Sequence, residues 1–368
     1  MTVSGCAVDA HGNINMKKFA VISGFLGSGK TTLMMALTKY CCEHYGKAAM
    51  ISNDLGEGVT LADHKLSQLA GLRAGQISDE CICFCRDVLT DKLDAFYEEG
   101  CELVVSDIPG FGVGALEHVY HGLTADRTGQ FALGPFTVLV EPYNVMRLRM
   151  GQAGDMAPIL DAQLREADLI VLNKCDLLDT GARREETSWL ANHYPQADVI
   201  MVSARTGENI DALCLALQNG SASLRHPDID YDADDLEDAM GSLSEYYLQY
   251  RALVCCGDFD GNAYLTELAQ EIRDAVGASG REIPHCKLLA WGPEGDFGKA
   301  DILGSGRPVE LPYRFSKPCT DIAVFLNMSA ICPNGLLDQI TGRAVKSVSD
   351  RNRLELTVFK KEHFDLGE

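Results

Sequence analysis

Residues 24–31 read Gly-Phe-Leu-Gly-Ser-Gly-Lys-Thr and have the spacing of a phosphate-binding loop. Glycines let backbone N–H groups close around phosphate oxygens, and a following helix N-terminus adds partial positive charge. In this pattern Lys30 reaches the β- and γ-phosphates, and the Thr31 hydroxyl holds Mg²⁺. The loop follows an apolar run at 19–22 and opens a helical stretch that ends at Gly46, which is the context that gives the motif its specificity. The predicted phosphate-contacting residues are Gly27, Ser28, Gly29, Lys30, Thr31 and Thr32.

A second motif, Asn-Lys-Cys-Asp at 173–176, follows an apolar run and has the N-K-x-D pattern that selects guanine. The Asp176 carboxylate can accept hydrogen bonds from both N1–H and the exocyclic amino group of guanine, whereas adenine presents an acceptor at N1. The Lys174 stem can lie along the base, and Asn173 can bond to the ring edge or tie loops together. The run Ser-Ala-Arg at 203–205 suits a loop whose backbone N–H contacts guanine O6. The predicted guanine site comprises Asn173, Lys174, Asp176, Ser203 and Ala204.

Two further strand ends carry residues that can respond to the γ-phosphate. Asp107-Ile-Pro-Gly110 has the D-x-x-G pattern, in which the aspartate orients Mg²⁺ or its water and the glycine N–H senses the γ-phosphate. The alternative is a simple turn built by the Pro-Gly pair. Three acidic residues could form a first switch, in which they would contact Mg²⁺ or position the attacking water. They are Asp54, Glu57 and Asp63. The expected catalytic residues are Lys30, Asp54 and Asp107, with Thr31 and Asp107 as Mg²⁺ ligands.

A cysteine triplet lies between these two candidate switches, at Cys81, Cys83 and Cys85. In an extended segment, side chains at alternate positions share one face, so we expect three convergent sulfurs, with Ile82 and Phe84 pointing into the core. Convergent thiolates suit Zn²⁺, Co²⁺ or Cu⁺, and three ligands leave one position open for transfer. Two alternatives remain, namely thiol redox chemistry and three ordinary buried cysteines.

The elements that must position these motifs alternate between short apolar runs and helical segments. This alternation is typical of parallel strands that are buried on both faces by helices. Ligands of such sheets bind at the carboxyl ends of the strands. The motifs fall at those ends, so we predict an α/β fold, a P-loop NTPase with a mostly parallel sheet flanked by helices. The runs are 19–22, 48–52, 103–106, 136–140, 169–172 and 199–202.

The composition changes after the last of these runs. We expect a flexible tail at 1–16, a GTPase domain at 17–222 and an acidic, solvated linker at 223–244, whose carboxylates could alternatively chelate a metal. Residues 245–368 are predicted to form a smaller α+β domain in β-α-β-β-α-β order, a ferredoxin-like arrangement.

Bulk composition excludes several classes of protein. The net charge of −21 argues against nucleic acid and anionic membranes as partners. The sequence has no long apolar segment and no secretory signal, so we expect a cytoplasmic protein. In a reducing compartment the fourteen cysteines should be thiols. Four that lie in apolar patterns are expected to be small core residues: Cys41, Cys101, Cys175 and Cys214.

Together these motifs resemble the CobW/HypB/UreG group of P-loop GTPases, and most closely its CobW-like branch. The resemblance covers roughly residues 17–217 and is carried by the segments 24–32, 53–57, 81–83 and 161–174. It implies GTP hydrolysis with Mg²⁺, coupled to delivery of zinc, nickel or a cobalt/cobalamin cofactor. The implied partners are a client metalloprotein or a corrinoid-system protein, with homodimerisation on GTP.

The sequence departs from that family in three places. Phe84 stands where the family's C-x-C-C motif has its third cysteine, and Cys85 follows one position later. Asp107 stands where CobW-like members usually have glutamate, and the nine histidines are scattered instead of forming a histidine-rich loop. The preferred interpretation is a GTP-dependent metallochaperone binding Zn²⁺ or Co²⁺. The alternatives are a P-loop kinase or ATPase that acts on a small molecule, and a GTP-binding thiol redox switch.

Overall fold

The computed structural model describes residues 17–54, 67, 71–78, 80–126, 130–225 and 233–365. The chain divides into two compact units, Met1–Asp232 and Ala233–Glu368. Among the helices that the structure describes, none combines the length and apolar character needed to span a bilayer.

The first unit is built on a sheet whose described strands all pair in parallel, in the order β3-β2-β4-β1-β6-β7-β8, with β5 beside β1. Alternate residues of the first strand enter different apolar clusters, with Phe19 and Val21 on one face and Ala20 and Ile22 on the other. The predicted parallel sheet buried on both faces is therefore confirmed. Its strands are β1 (Lys18–Gly24), β2 (Ala48–Asp54), β3 (Arg73–Ser78), β4 (Leu103–Asp107), β5 (Ala132–Leu133), β6 (Thr137–Val140), β7 (Leu169–Leu172) and β8 (Asp198–Met201).

Helices follow most of these strands, since parallel neighbours must be joined by long crossover connections. The described helices of this unit are α1 (Lys30–His44), α2 (Arg86–Glu98), α3 (Gly122–Asp126), α4 (Pro142–Arg149), α5 (Ala157–Glu166), α6 (Thr180–His193) and α7 (Ile210–Asn219). A π-helical turn, Leu116–His121, leads into α3, and a 3₁₀ turn, Cys175–Leu177, follows β7.

A disulfide joins Cys41 of α1 to Cys214 of α7, with their Cα atoms 6.6 Å apart. Both residues are buried in the same apolar cluster, on the face of the sheet that the two helices cover. The expectation that these two cysteines are separate core thiols is therefore wrong. Their separation of 173 residues hides the pairing from any local sequence pattern.

This crosslink closes a long loop, so it is expected to restrict the unfolded chain and raise the free energy of unfolding by about 2–4 kcal/mol. Denaturant unfolding should therefore show a lower stability in dithiothreitol than under oxidising conditions. The double variant Cys41→Ala/Cys214→Ala serves as the control, because its stability should not respond to dithiothreitol. A similar response in that variant would assign the effect to other thiols.

The second unit is an antiparallel sheet in the order β12-β11-β10-β13-β9-β14, whose two long helices share its apolar cluster. Four strands and these helices follow the predicted β-α-β-β-α-β order. The sequence analysis missed β11 and β12, because each is short and interrupted by glycine, proline or charge. It also missed a helix in the predicted acidic linker. The elements are α8 (Ala233–Gly241), β9 (Ser244–Val254), α9 (Gly261–Ala278), β10 (Glu282–Trp291), β11 (Phe297–Ile302), β12 (Glu310–Tyr313), β13 (Asp321–Ile331), α10 (Asn334–Arg351) and β14 (Leu354–Asp365).

Candidate functional site

The phosphate loop runs from the end of β1 to the start of α1, and glycine is required within it. Gly24, Gly27 and Gly29 have φ values of 137°, 75° and 96°, in the region that favours glycine. A Cβ on Gly24 would overlap the Leu139 carbonyl oxygen, and one on Gly29 would lie 2.6 Å from Asn173 Nδ2. The loop therefore packs directly against the end of β6 and against the predicted guanine motif.

Lys30 is the first residue of α1, and its ammonium group points back into the loop. Nζ donates a hydrogen bond to the Gly24 carbonyl at 2.6 Å. Ser28 is buried, and within the described part of the chain its hydroxyl has no hydrogen-bond partner. Thr31 is partly exposed and Thr32 is exposed on the next positions of the helix. A cation, a buried hydroxyl and a helix N-terminus form a donor set that fits phosphate oxygens.

Asp107 ends β4 and aligns with Ile22 of β1, two residues before the phosphate loop begins. It is buried, and its Oδ1 accepts a hydrogen bond from the Asn53 backbone N–H at 2.6 Å. Its carboxylate and the Thr31 hydroxyl are hard oxygen donors of the kind that Mg²⁺ prefers. Gly110 lies against the same loop, since a Cβ there would be 2.6 Å from Leu26 Cδ2.

Helix α5 holds the segment after Asp107 through two buried side chains that the sequence analysis did not select as site residues. Gln163 Nε2 donates to the carbonyls of Gly110 and Gly112 at 3.1 and 3.0 Å. One helical turn later, Glu166 Oε1 accepts the Gly114 N–H at 2.6 Å. Burial raises the pKa of Glu166 to about 8, although the Gly114 hydrogen bond opposes that shift. In the sequence, these two residues could have been recognised as a polar pair at i, i+3 on an otherwise apolar helix face.

The cysteine segment is a turn and not the extended strand that was predicted. The Phe84 N–H donates to the Cys81 carbonyl at 2.8 Å, and α2 begins directly after Cys85. Because the chain reverses here, Phe84 is 77% exposed, and its predicted inward orientation is wrong. Ile82 is fully buried, as expected.

The same turn brings two of the three sulfurs together. Cys81 Sγ and Cys83 Sγ are 2.9 Å apart, while Cys85 Sγ donates to the Cys81 carbonyl at 3.3 Å. The hydrogen bond between the two sulfurs lowers the pKa of Cys81 and raises that of Cys83. Within the described ranges, no three His, Cys, Asp or Glu side chains are arranged to hold a metal ion. The geometry is therefore that of a thiol pair, whose soft donors fit Zn²⁺ or Co²⁺.

The predicted guanine motif after β7 is tied to the phosphate loop by direct hydrogen bonds. Asn173 is buried, and its Nδ2 donates to the Ser28 carbonyl at 2.8 Å while its Oδ1 accepts the Ala204 N–H at 3.1 Å. Asn173 thus ties loops together, which is one of the two roles predicted for it.

Lys174 adopts a left-handed backbone, with φ of 59°, and crosses back to the phosphate loop. Its Nζ donates to the Gly27 carbonyl and to Glu141 Oε2, each at 2.7 Å. Glu141 is buried directly after β6 and was missed by the sequence analysis, although its position at a strand end could have identified it.

Asp176 forms the outer part of this motif. Its Oδ1 accepts the Ser203 hydroxyl at 2.6 Å, and its Oδ2 pairs with Arg205. Partial burial favours the neutral acid, but the Ser203 and Arg205 hydrogen bonds outweigh it and lower the pKa of Asp176. Each carboxylate oxygen of Asp176 therefore already accepts a hydrogen bond from the protein, and these bonds favour its ionised form.

The candidates for the first switch lie at the end of β2 or after it. The backbone of Asp54 ends β2, but its side chain, together with Glu57 and Asp63, lies outside the described residues. All other predicted phosphate, guanine and thiol residues lie at the carboxyl ends of the parallel strands or in the segments that follow them.

Comparison with known proteins identifies the nucleotide-binding unit. Residues 18–201, half of the chain, match the nucleotide-binding domain of the CobW/HypB/UreG family. No curated protein matches the sequence.

Solved structures to which the chain is similar include the YjiA GTPase and two HypB proteins. The Zn(II)-bound YjiA GTPase from E. coli is 16% identical, with 90% of this chain and 99% of that chain covered and a TM-score of 0.39. The hydrogenase maturation factor HypB from Archaeoglobus fulgidus is 19% identical over 56% and 90% of the two chains, with a TM-score of 0.39. HypB from Helicobacter pylori in complex with nickel is 15% identical over 57% and 91%, with a TM-score of 0.41.

Proposed function

The chain belongs to the CobW/HypB/UreG family, and from that premise we propose that it is a GTP-hydrolysing metallochaperone that delivers Zn²⁺, Co²⁺ or a cobalt cofactor. The observation that carries the proposal is the pair Cys81 and Cys83, whose sulfurs are 2.9 Å apart. The turn that holds them is hydrogen-bonded to Asn53 of β2, which also bonds to Asp107. The proposed nucleotide-binding domain is 17–222, joined by a linker at 223–244 to a client-docking domain at 245–368.

In the proposed reaction Lys30 supplies positive charge at the transferring phosphoryl group. Thr31 and Asp107 would hold Mg²⁺, which would supply positive charge to neutralise the phosphoryl group during transfer. Gly110 would offer its N–H to the γ-phosphate. Asp54 remains our candidate for positioning the attacking water.

The metal at the cysteine pair would be cargo and not a resident cofactor. Cys81 and Cys83 would be two of its ligands, and either Cys85 or a group of the client would complete the coordination. A client metalloprotein or corrinoid-system protein would then supply ligands of its own. The second copy of a homodimer is another candidate partner.

Binding of Co²⁺ to the reduced protein tests the cargo site. Thiolate ligation should produce Co²⁺–thiolate charge-transfer absorption, and affinity should rise with pH because thiols lose protons on binding. Cys83→Ser removes a direct ligand and should weaken binding by more than about 100-fold, beyond what changes outside the ligand shell usually cause. Cys101→Ser is the control, since Cys101 is buried elsewhere in the unit. Equal binding by Cys83→Ser and wild type would contradict the cargo site.

The same titration should depend on the bound nucleotide. If the γ-phosphate orders the segments around Asp107, Co²⁺ affinity should differ by about 5- to 150-fold between a non-hydrolysable GTP analogue and GDP. Linkage requires that Co²⁺ change nucleotide affinity by the same factor.

A thiol redox switch is the second candidate function, and the short Cys81–Cys83 distance favours it. A peroxide would take two electrons and two protons from the pair, giving a disulfide and two waters from H₂O₂. Intact mass after peroxide treatment, with Cys83→Ser as control, separates the two functions, because a delivery site must remain reduced to bind metal.

A further inference from the structure

Asn53 connects the predicted Mg²⁺ residue to the cysteine turn. It is the penultimate residue of β2 and is fully buried. Its backbone N–H donates to Asp107 Oδ1 at 2.6 Å. Its side chain faces the other way along the sheet, towards β3 and the turn that follows β3.

Both ends of the Asn53 side-chain amide bond to main-chain groups. Nδ2 donates to the carbonyls of Ile77 and Glu80 at 3.2 and 2.8 Å, and Oδ1 accepts the Ile82 N–H at 2.9 Å. Glu80 and Ile82 flank Cys81, so the amide holds the backbone on both sides of that thiol. An aspartate could not replace it, because a carboxylate cannot donate to two carbonyls.

The surroundings favour transmission of movement through this residue. Ile82 is fully buried and fixes the turn in the core, and close-packed interiors transmit displacement instead of absorbing it. A change in the orientation of the Asp107 carboxylate must either move the Asn53 backbone or leave a buried N–H unpaired, which is unfavourable. Movement of Asn53 in turn shifts the Glu80 carbonyl and the Ile82 N–H.

We propose that Asn53 is the positioning residue that couples nucleotide state at Asp107 to the geometry of the Cys81–Cys83 pair. This inference rests on the proposed function and adds the residue through which the two sites communicate. It assigns Asn53 no contact with nucleotide or metal. Its effect should therefore lie in the coupling between the two ligands more than in the affinity for either one.

The test compares Co²⁺ affinity in the GTP-analogue and GDP states of each variant. Wild type should show a ratio of about tenfold, within the usual range of coupling. Asn53→Ala should bind both ligands but reduce that ratio to less than about twofold. Ser52→Ala is the matched control, because Ser52 is the adjacent buried residue, and in the described part of the chain its hydroxyl has no hydrogen-bond partner. It should keep the wild-type ratio.

The outcomes separate this inference from the proposed function. If Asn53→Ala keeps the wild-type ratio of Co²⁺ affinities in the two nucleotide states, only the role of Asn53 is overturned. If the wild-type protein binds Co²⁺ equally well in the two nucleotide states, both nucleotide-coupled delivery and the role of Asn53 are overturned.

Hydrogen exchange on the wild-type protein provides a test that does not depend on a variant folding. The Ile82 amide, which bonds to Asn53 Oδ1, should change its exchange rate by about fivefold or more between the GTP-analogue and GDP states. The Tyr194 amide, which bonds to the Leu190 carbonyl at the end of α6, should not change. Equal Ile82 rates in the two nucleotide states would overturn the proposal.

Discussion

Replacement of Lys30 by alanine is expected to reduce GTP hydrolysis by at least about 10²- to 10³-fold, which is the loss seen when one preorganised charge-stabilising donor is removed. Lys30 is the only residue of the predicted loop motif that brings a positive side-chain charge. Its ammonium group already lies inside the loop, 2.6 Å from the Gly24 carbonyl, so little rearrangement is needed before it can contact a phosphate. Single-turnover phosphate release measures the effect.

The fold should survive this substitution. Lys30 Nζ donates to the loop carbonyls of Gly24 at 2.6 Å and Phe25 at 3.4 Å, and loss of this side chain should lower the free energy of unfolding by about 1–2 kcal/mol. Lys39→Ala is the matched control, because Lys39 lies on the same helix but is exposed to solvent. Lys39→Ala should hydrolyse GTP at the wild-type rate. Unchanged hydrolysis in Lys30→Ala would mean that the phosphate loop has been wrongly identified.

The parallel sheet and its site could be predicted because both depend on local patterns. Most of the predicted strands are short runs of buried apolar residues, and the phosphate, switch and guanine motifs follow at their carboxyl ends. Two strands of this sheet were not predicted, β3 because its residues are mostly polar or partly exposed and β5 because it has only two residues. Glycines such as Gly29 mark positions where backbone and neighbouring side chains meet too closely for a Cβ. Such constraints are visible in the sequence because they restrict residue type at a fixed spacing.

The cysteine turn could not be predicted in the same way. The spacing of Cys81, Cys83 and Cys85 fits both an extended segment and a turn, and only the hydrogen bonds decide between them. The amide of Asn53 and the start of α2 after Cys85 favour the turn. Asn53 lies almost thirty residues before the turn, and the start of α2 has no side-chain cap that would mark it in the sequence. Periodicity alone therefore favoured the wrong conformation.

Long-range partners account for the other omissions. Glu141 was not selected because its role depends on Lys174, 33 residues further along the chain. Gln163 and Glu166 act on the segment after Asp107, more than fifty residues earlier. The Cys41–Cys214 disulfide likewise joins residues that are far apart in the sequence. In each case the residue type is common, and its function depends on which distant backbone the fold brings beside it.

Asp176 should give the protein a preference for guanine over adenine nucleotides of about 30- to 1,000-fold, or about 2–4 kcal/mol. Guanine offers two N–H donors to this carboxylate, whereas adenine would leave it facing an acceptor. Calorimetric titration with GDP and ADP measures the difference directly. Equal affinities would instead favour the small-molecule kinase or ATPase.

Asp176→Asn should reverse part of that preference. The new amide can donate to the C2 carbonyl of xanthine, so affinity should shift from GDP towards XDP. Arg205→Ala is the informative control, because Arg205 pairs with the same carboxylate from a largely exposed position. It should keep the preference for guanine, since Ser203 still orients Asp176 through the 2.6 Å hydrogen bond.

The pH dependence provides an independent check on the same carboxylate. Because the Ser203 and Arg205 hydrogen bonds outweigh partial burial and lower its pKa, Asp176 should remain ionised from pH 8 to pH 5. The preference for guanine should therefore be constant across this range and decline only at more acidic pH, where the carboxylate becomes protonated. A preference that is lost between pH 8 and pH 6 would point to a different titrating group and would contradict the assignment of Asp176.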